Sequence, residues 1–263
     1  MPSLSIDSAE PAPQGLRSTP AAEPESGSGG VNGLQAVFWD MDGTLVDTEP
    51  YWIEAEYALV ASYGGEWSPE QAHSLVGQAL TYSGSVIQQA GVDLTVREII
   101  DTLIGQVAAR VRDRMPWRPG ARELLSHLHE SGVPNALVTM SETPLAAAVL
   151  EALPGGQMEF SVTGDSVQNG KPHPEAYDTA FAKMGRILED ASGEALDRSR
   201  CLAIEDSVPG TAAAVASGLV TLAVPHLTPL PETGQWHTRP TLEGLRLAEI
   251  GQMLRSAPPQ PGS

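Results

Sequence analysis

The chain has 263 residues, of which 41% are hydrophobic, and a formal net charge of −18 at pH 7. This length and apolar content suffice for one large domain or for one core with an insertion. The negative charge disfavours nucleic acid and anionic membranes as partners, because both are negatively charged themselves.

Three further absences narrow the class of protein. No apolar run approaches the roughly 20 residues that cross a bilayer, and the first residues lack the basic start and apolar stretch of a secretory signal. The single cysteine, Cys201, excludes an intramolecular disulfide or a cysteine-rich metal site. These features together predict a cytoplasmic protein without a membrane partner.

Both ends of the chain have the composition of disordered segments. Residues 1–33 are rich in Pro, Ser, Gly, Ala and Glu and nearly free of large apolar side chains, and residues 255–263 are similar. Such segments bury too little surface to offset the entropy lost on ordering. We therefore expect disordered tails at 1–33 and 255–263.

Between these tails, short apolar runs alternate with helical patterns. The predicted strands are Ala36–Trp39, Ala136–Thr139, Phe160–Val162, Cys201–Ile204 and Val220–Val224. The predicted helices of this part are Gly120–Glu130, Leu145–Leu153 after a cap at Thr143, Glu175–Met184 and Gly210–Ala216. This alternation predicts an α/β fold with a doubly wound parallel sheet, formed by residues 34–49 and 119–254. Ligands of such sheets bind beyond the carboxyl ends of the strands.

One stretch, residues 50–118, interrupts the alternation because it contains helical signals and no convincing strand. Ser68 and Thr95 each begin a helix-capping pattern, with Gln or Glu three residues later. The stretch ends in a segment with two prolines and a glycine, which predicts a linker. We expect an inserted all-helical cap over the active face of the sheet.

Two carboxylates follow the first strand directly, at Asp40 and Asp42, and Gly43 comes next. Burying charges at a strand end costs several kcal/mol each unless they are paired or bind a metal. A hydrogen-bonded turn is the structural alternative for Asp-x-Asp-Gly taken alone.

Polar residues also follow other predicted strands, and their order is informative. Thr139 closes the second strand, Lys171 lies in a Gly-Lys-Pro loop, and Glu205 and Asp206 follow the strand that begins at Cys201. Together with the first motif, they resemble the haloacid dehalogenase superfamily. The resemblance is to its helical-cap phosphatases and beta-phosphoglucomutase-like members, and it covers residues 34–225. It implies a Rossmann-like parallel sheet with a helical cap.

The resemblance also implies roles for the acidic residues. Asp40 would attack phosphorus and form an aspartyl-phosphate, while its other oxygen binds Mg²⁺. Asp42 would act as general acid and base, and its backbone carbonyl would bind the metal. Asp206 would be a further metal ligand, and Glu205 either a ligand or a partner of one.

Further residues would bind the transferring phosphoryl group. By the same resemblance, Lys171 and Thr139 would stabilise its oxygens, together with backbone amides near Gly43 and Met140. The predicted activity is magnesium-dependent hydrolysis of small phosphate monoesters, such as sugar or polyol phosphates.

Two alternatives stay open. A sugar-phosphate mutase resembling beta-phosphoglucomutase would need a cap arginine shortly after a glycine, and Gly77-Gln78 has none. A non-catalytic sensor of phosphorylated metabolites would share the fold. Asp42 argues against a dehalogenase, and the absence of lysine from 50–118 argues against phosphonate cleavage. The sequence names neither the particular substrate nor the oligomeric state.

Overall fold

A six-stranded parallel sheet forms the centre of the computed structural model, which describes residues 31–256. The strands are β1 Ala36–Trp39, β2 Asn135–Val138, β3 Phe160–Val162, β4 Cys201–Glu205, β5 Val220–Ala223 and β6 His237–Thr238. Their order is β3-β2-β1-β4-β5-β6, so the strand order reverses at β1, which pairs with β2 and β4. The crevice expected of a doubly wound sheet therefore lies at the carboxyl end of β1.

Nine α-helices accompany the sheet within residues 31–256. They are α1 Glu49–Ser62, α2 Pro69–Leu75, α3 Leu80–Gln89, α4 Val96–Asp113, α5 Ala121–Glu130, α6 Thr143–Ala152, α7 Glu175–Ser192, α8 Val208–Ala216 and α9 Leu247–Arg255. The predicted α/β class is confirmed. None of these helices combines the length and apolar character that crossing a bilayer requires.

Two elements of the sheet region were absent from the prediction, and one cap was misplaced. Strand β6 has two residues, partly exposed, and therefore shows no apolar pattern. Helix α9 was also not predicted. The predicted cap residue Thr143 is instead the first residue of α6, with Glu142 in the cap position. The Thr143 hydroxyl donates to Asp165, 2.9 Å away.

The sheet packs on both faces, as β1 shows. Its four residues are completely buried. Val37 and Trp39 belong to the larger apolar core, while Ala36 and Phe38 belong to a second core on the other face. Alternating side chains of a strand point to opposite faces, so both faces must be covered. The residue that follows β1, Asp40, is therefore attached to a strand that is buried on both faces.

Helices α1–α4 form the segment predicted as a cap. The capping boxes predicted at Ser68 and Thr95 are present. Helix α4 packs against α1 and α3, and it also packs against α6 of the sheet region. Helix α1 begins at Glu49, one residue before the predicted cap boundary. The boundaries 50–118 stay a prediction.

The chain leaves the sheet region and returns to it at adjacent points. The amide of Asp47 donates to the Pro116 carbonyl over 2.8 Å, and the amide of Arg118 donates to the Leu45 carbonyl over 3.0 Å. These two backbone bonds join the outgoing and returning linkers. Leu45 and Asp47, on the outgoing linker, come a few residues after Asp40 and Asp42 in the chain.

The predicted tail boundaries need correction at both ends. Residues 1–30 and 257–263 lie outside the described residues. Val31–Gly33, assigned to the first tail, form a 3-10 turn that packs against α9, and the Gly33 carbonyl accepts a 3.0 Å bond from Arg200. Helix α9 extends to Arg255, the first residue assigned to the second tail.

Candidate active site

Asp40 follows the last residue of β1 at the point where the strand order reverses. Its amide donates to the Ile204 carbonyl over 3.0 Å, which fixes its backbone to β4. The residue is only 7% exposed. Its Oδ1 accepts a hydrogen bond from Lys171, whereas the buried Oδ2 has no partner within residues 31–256. An unpartnered buried carboxylate oxygen is costly, so Oδ2 is available to a ligand.

Lys171 makes three hydrogen bonds from Nζ, the full number that an ammonium group can donate. They run to Asp40 Oδ1 at 2.7 Å, to Glu205 Oε1 at 2.6 Å and to the Val138 carbonyl at 2.8 Å. Burial lowers the pKa of Lys171, but the carboxylates of Asp40 and Glu205 outweigh burial and raise it above its ordinary value. The side chain is therefore a fixed positive charge beside Asp40.

Asp40, Glu205 and Asp206 form a carboxylate cluster in which one oxygen from each lies within 4.8 Å of the others. Burial, reinforced by the charge on Asp40, raises the pKa of both Glu205 and Asp206. A divalent cation that prefers oxygen ligands would offset this repulsion. The donor set and the unpartnered Oδ2 of Asp40 therefore fit a metal ion such as Mg²⁺.

Gly43 allows the loop after β1 to pass close to this cluster. Its φ is +88°, and a Cβ atom at this position would lie 2.1 Å from Asp206 Oδ2. Glycine is therefore required on two counts, backbone conformation and space. Its amide donates to the Val46 carbonyl over 2.7 Å. Substrate binding by Gly43 stays a prediction, and its amide is already bonded inside the turn.

Three hydroxyl groups surround the carboxylate of Asp42. Thr48 donates to Oδ1, while Ser141 and Thr139 donate to Oδ2 over 2.7 and 3.4 Å. Burial raises the pKa of Asp42 above its ordinary value, although these bonds oppose the rise. A carboxyl group with a raised pKa suits proton donation. Asp42 is held in place rather than left to rotate.

Met140 contacts two neighbouring loops, one through its side chain and one through its carbonyl group. Its Sδ accepts from the Lys171 amide over 3.2 Å, which fixes the loop that contains the lysine. A Cβ on Gly164 would lie 2.2 Å from the Met140 carbonyl oxygen, so the next loop is also packed closely. Substrate binding by the Met140 amide stays a prediction.

Tyr177 is a further polar residue in this region, and it lies in α7. It is completely buried, and its hydroxyl donates to Glu205 Oε1 over 2.6 Å. Burial raises the pKa of Tyr177 well above its ordinary value, so the phenol keeps its proton and remains a donor.

The structure brings six of the predicted residues to one end of the sheet: Asp40, Asp42, Thr139, Lys171, Glu205 and Asp206. Sequence reasoning did not predict the roles of Thr48, Ser141 and Tyr177. Thr48 and Ser141 lie in the same loops as predicted residues, and their hydroxyls were a usable signal. Tyr177 lies on the buried face of a helix, where an aromatic residue is ordinary.

Known proteins resemble this chain in sequence and in fold. Residues 34–218 match the family model described as haloacid dehalogenase-like hydrolase. The chain is 30% identical over 194 residues to a bifunctional riboflavin kinase/FMN phosphatase from Arabidopsis thaliana, covering 73% of this chain but only 48% of that protein. It is 27% identical over 196 residues to hexitol phosphatase B from Escherichia coli K12, covering 73% and 84%.

A solved structure, a putative beta-phosphoglucomutase from Thermotoga maritima, matches the fold with a TM-score of 0.65. The two are 23% identical, and the match covers 85% of this chain and 99% of the other. The chain belongs to the haloacid dehalogenase-like hydrolases, as the extent of the family match shows. The sequence-based prediction of a hydrolase in this superfamily is confirmed.

Proposed function

We propose that this enzyme hydrolyses small phosphate monoesters in a magnesium-dependent reaction that passes through an aspartyl-phosphate at Asp40. The observation that supports this most directly is the state of Asp40. One oxygen is fixed by Lys171, and the other is buried without a protein partner beside the carboxylates of Glu205 and Asp206. An aspartate held in this way is suited to act as a nucleophile.

Asp40, Asp206 and the backbone carbonyl of Asp42 would hold the magnesium ion, with Glu205 as a further candidate ligand. When bound, Mg²⁺ supplies positive charge that reduces the repulsion between a phosphate dianion and an anionic nucleophile. Lys171 supplies a second positive charge on the other side of Asp40. Lys171 and the bound ion would together offset the charge of the Asp40, Glu205 and Asp206 carboxylates, in a protein whose net charge is −18.

Asp40 and Asp42 divide the chemistry between them. Asp40 attacks phosphorus as the bond to the leaving oxygen breaks, and protonated Asp42 gives that oxygen its proton. The deprotonated Asp42 then takes a proton from water, which attacks the aspartyl-phosphate and releases phosphate. The hydroxyls of Thr48 and Ser141 hold Asp42 in one orientation for both steps.

Sugar or polyol phosphates are the proposed substrate class, and hexitol phosphatase B is named for such an activity. Three arginines of helix α4 already have carboxylate partners. Arg97 pairs with Asp101 and Glu142, Arg110 with Glu54, and Arg112 with Glu151. These pairs reduce the positive charge that α4 offers to a second phosphate, while Arg114, directly after α4, has no ion pair among residues 31–256. The absence of an arginine after Gly77 favours hydrolysis of a monophosphate over the mutase alternative. The cytoplasmic location stays a prediction.

Release of inorganic phosphate from a panel of sugar, polyol, nucleotide and glycolate phosphates tests the proposal. We expect activity with Mg²⁺, loss of activity on chelation and its return when Mg²⁺ is added back. Asp40→Asn should lower kcat by several orders of magnitude, because an amide is not a nucleophile. Asp113→Asn, at an exposed position in α4, is the matched control and should retain activity. Binding without turnover across the panel would support the sensor instead.

A further inference from the structure

Tyr177 is completely buried beside the active site, yet it contacts neither Asp40 nor Asp42 through a hydrogen bond in residues 31–256. It lies in the first turn of α7, six positions after Lys171 in the chain. Its phenolic O–H donates to Glu205 Oε1 over 2.6 Å. The roles assigned above to the active-site residues do not use this hydroxyl.

The oxygen that Tyr177 binds is also the oxygen that Lys171 binds. Glu205 Oε1 accepts from Lys171 Nζ over 2.6 Å, and the same Nζ donates to Asp40 Oδ1 over 2.7 Å. A continuous chain of hydrogen bonds therefore runs from the Tyr177 hydroxyl through Glu205 and Lys171 to Asp40. Every member of this chain is at least nine-tenths buried.

The surroundings of Glu205 leave the carboxylate little freedom. A Cβ on Gly210 would lie 1.8 Å from Oε2, so the first turn of α8 passes directly against that oxygen. The Ser207 hydroxyl is 3.4 Å from Oε2. On the other side, Oε1 receives its two donors, Tyr177 and Lys171. If the tyrosine donor were removed, one buried lone pair would lose its partner, and the carboxylate would shift toward Lys171.

A shift of this kind would change the position of the lysine. Lys171 uses its three protons on Asp40, Glu205 and the Val138 carbonyl, so a stronger pull by one acceptor weakens the others. The geometry points to Tyr177 as a positioning residue. Its hydroxyl occupies part of Glu205 Oε1, which limits the attraction of Lys171 to that oxygen and keeps the ammonium group against Asp40. This inference rests on the proposed function of Asp40 as the nucleophile.

Tyr177→Phe tests it, because the substitution removes only the hydroxyl. We expect kcat to fall about tenfold, the lower end for residues that orient a ligating or reacting group, while KM stays within about twofold. The Tyr177→Phe/Glu205→Gln double variant should be no slower than Glu205→Gln alone, because both changes act through the same carboxylate. An unchanged kcat in Tyr177→Phe, or losses that multiply in the double variant, would overturn the inference.

Thr221→Val is the matched control for loss of a buried hydroxyl. Thr221 is 1% exposed in the neighbouring strand β5, and its hydroxyl donates to the Leu219 carbonyl over 3.2 Å. We expect both variants to lower the melting temperature, but only Tyr177→Phe to lower kcat. A loss of kcat in Thr221→Val as large as that in Tyr177→Phe would show that general destabilisation explains both.

A measurement without turnover separates this inference from the proposed activity. The chain has only two lysines, Lys171 and Lys183, so a spectrum of ¹⁵N-labelled lysine side chains contains two ammonium groups. The buried Lys171 ammonium should be protected from hydrogen exchange in the wild type and should lose protection in Tyr177→Phe. Equal protection in the two proteins would refute the positioning role even if no phosphatase substrate were found.

Discussion

Arg97 of helix α4 and Glu142, at the start of helix α6, form a two-point ion pair between the cap and the sheet region. Its distances are 2.9 Å from Nη1 to Oε1 and 2.8 Å from Nη2 to Oε2. Glu142 directly follows Ser141, whose hydroxyl binds the proposed general acid Asp42. The pair therefore connects the position of the cap to a loop of the active site.

Arg97→Ala should lower kcat/KM several-fold with little change in the melting temperature. Exposed ion pairs contribute only about 0–1 kcal/mol to folding, but a closed cap excludes water and orients the leaving group. The measurement is steady-state kinetics at low and at high salt, since salt should reduce the difference between variant and wild type. Arg110→Ala is the control, because Arg110 is about as exposed as Arg97 and pairs with Glu54 within the cap. Equal effects of the two substitutions would contradict a role in closure.

Gly43→Ala should damage the site far more than it damages the fold. The added Cβ would lie 2.1 Å from Asp206 Oδ2, so the carboxylate must move, and the positive φ adds about 1 kcal/mol of backbone strain. We expect a loss of activity of at least about a hundredfold and a higher Mg²⁺ concentration for half-maximal activity. Gly132→Ala is the control, because Gly132 has φ +72° and nothing lies within 4 Å of an added Cβ. It should show only the loss of stability from backbone strain. Normal activity in Gly43→Ala would refute this close approach.

Glu56 should make the stability of the protein depend on pH. Its side chain lies buried in α1, where it accepts from Trp67 Nε1 over 3.2 Å, and burial raises its pKa to about 7. Because the folded pKa exceeds the ordinary value of 4.5, the stability linked to this group is fully present below pH 4.5 and is lost as pH rises toward 7.

Glu56→Gln should therefore raise the free energy of unfolding at pH 8, by on the order of 2 kcal/mol, with much less change at pH 5. Chemical denaturation at the two pH values measures the difference. Glu66→Gln, an exposed change in the same region, is the control and should alter neither. A gain at pH 5 that equals the gain at pH 8 would exclude titration of Glu56 as the cause.

Beta-glucose 1-phosphate with a catalytic amount of the bisphosphate separates the phosphatase from the mutase. Both enzymes would form the aspartyl-phosphate at Asp40, so the difference lies in whether water or a sugar hydroxyl attacks it. Gly77 is followed by Gln78, and the structure pairs Arg97 and Arg112 with carboxylates. We expect a true substrate to give stoichiometric inorganic phosphate. Conversion mainly to glucose 6-phosphate would establish the mutase.

The sequence predicted the sheet and the loops at its carboxyl end because these depend on local patterns. Apolar runs such as Cys201–Ile204 must be buried, and polar residues at their ends must then meet at one edge. Strand β6 could not be predicted in this way, since two partly exposed residues have no pattern and depend on pairing with β5. Helix α9 also went unpredicted, although its buried positions Leu247, Ile250 and Gly251 follow helical spacing.

Within the site, the meeting of the predicted residues at one end of the sheet was predictable, and their hydrogen-bond partners were not. Lys171 was predicted to bind the transferring phosphoryl group, but its bond to Glu205 depends on how the loop before α7 approaches the end of β4. Tyr177 and Arg97 gave no sign of their partners, which lie 28 and 45 positions away in the chain. Such pairings arise from tertiary packing, and no local pattern encodes them.

The two backbone bonds that join Asp47 to Pro116 and Leu45 to Arg118 have a consequence for modularity. The inserted segment enters and leaves through neighbouring points, so a change in its length need not separate the strands of the sheet. A replacement segment of different size would meet the same short neck, and lengthening such an insertion costs little in closure entropy. Helices α1–α4 could thus be exchanged for another segment that packs on α6, while the reacting groups stay where β1 and its neighbours hold them.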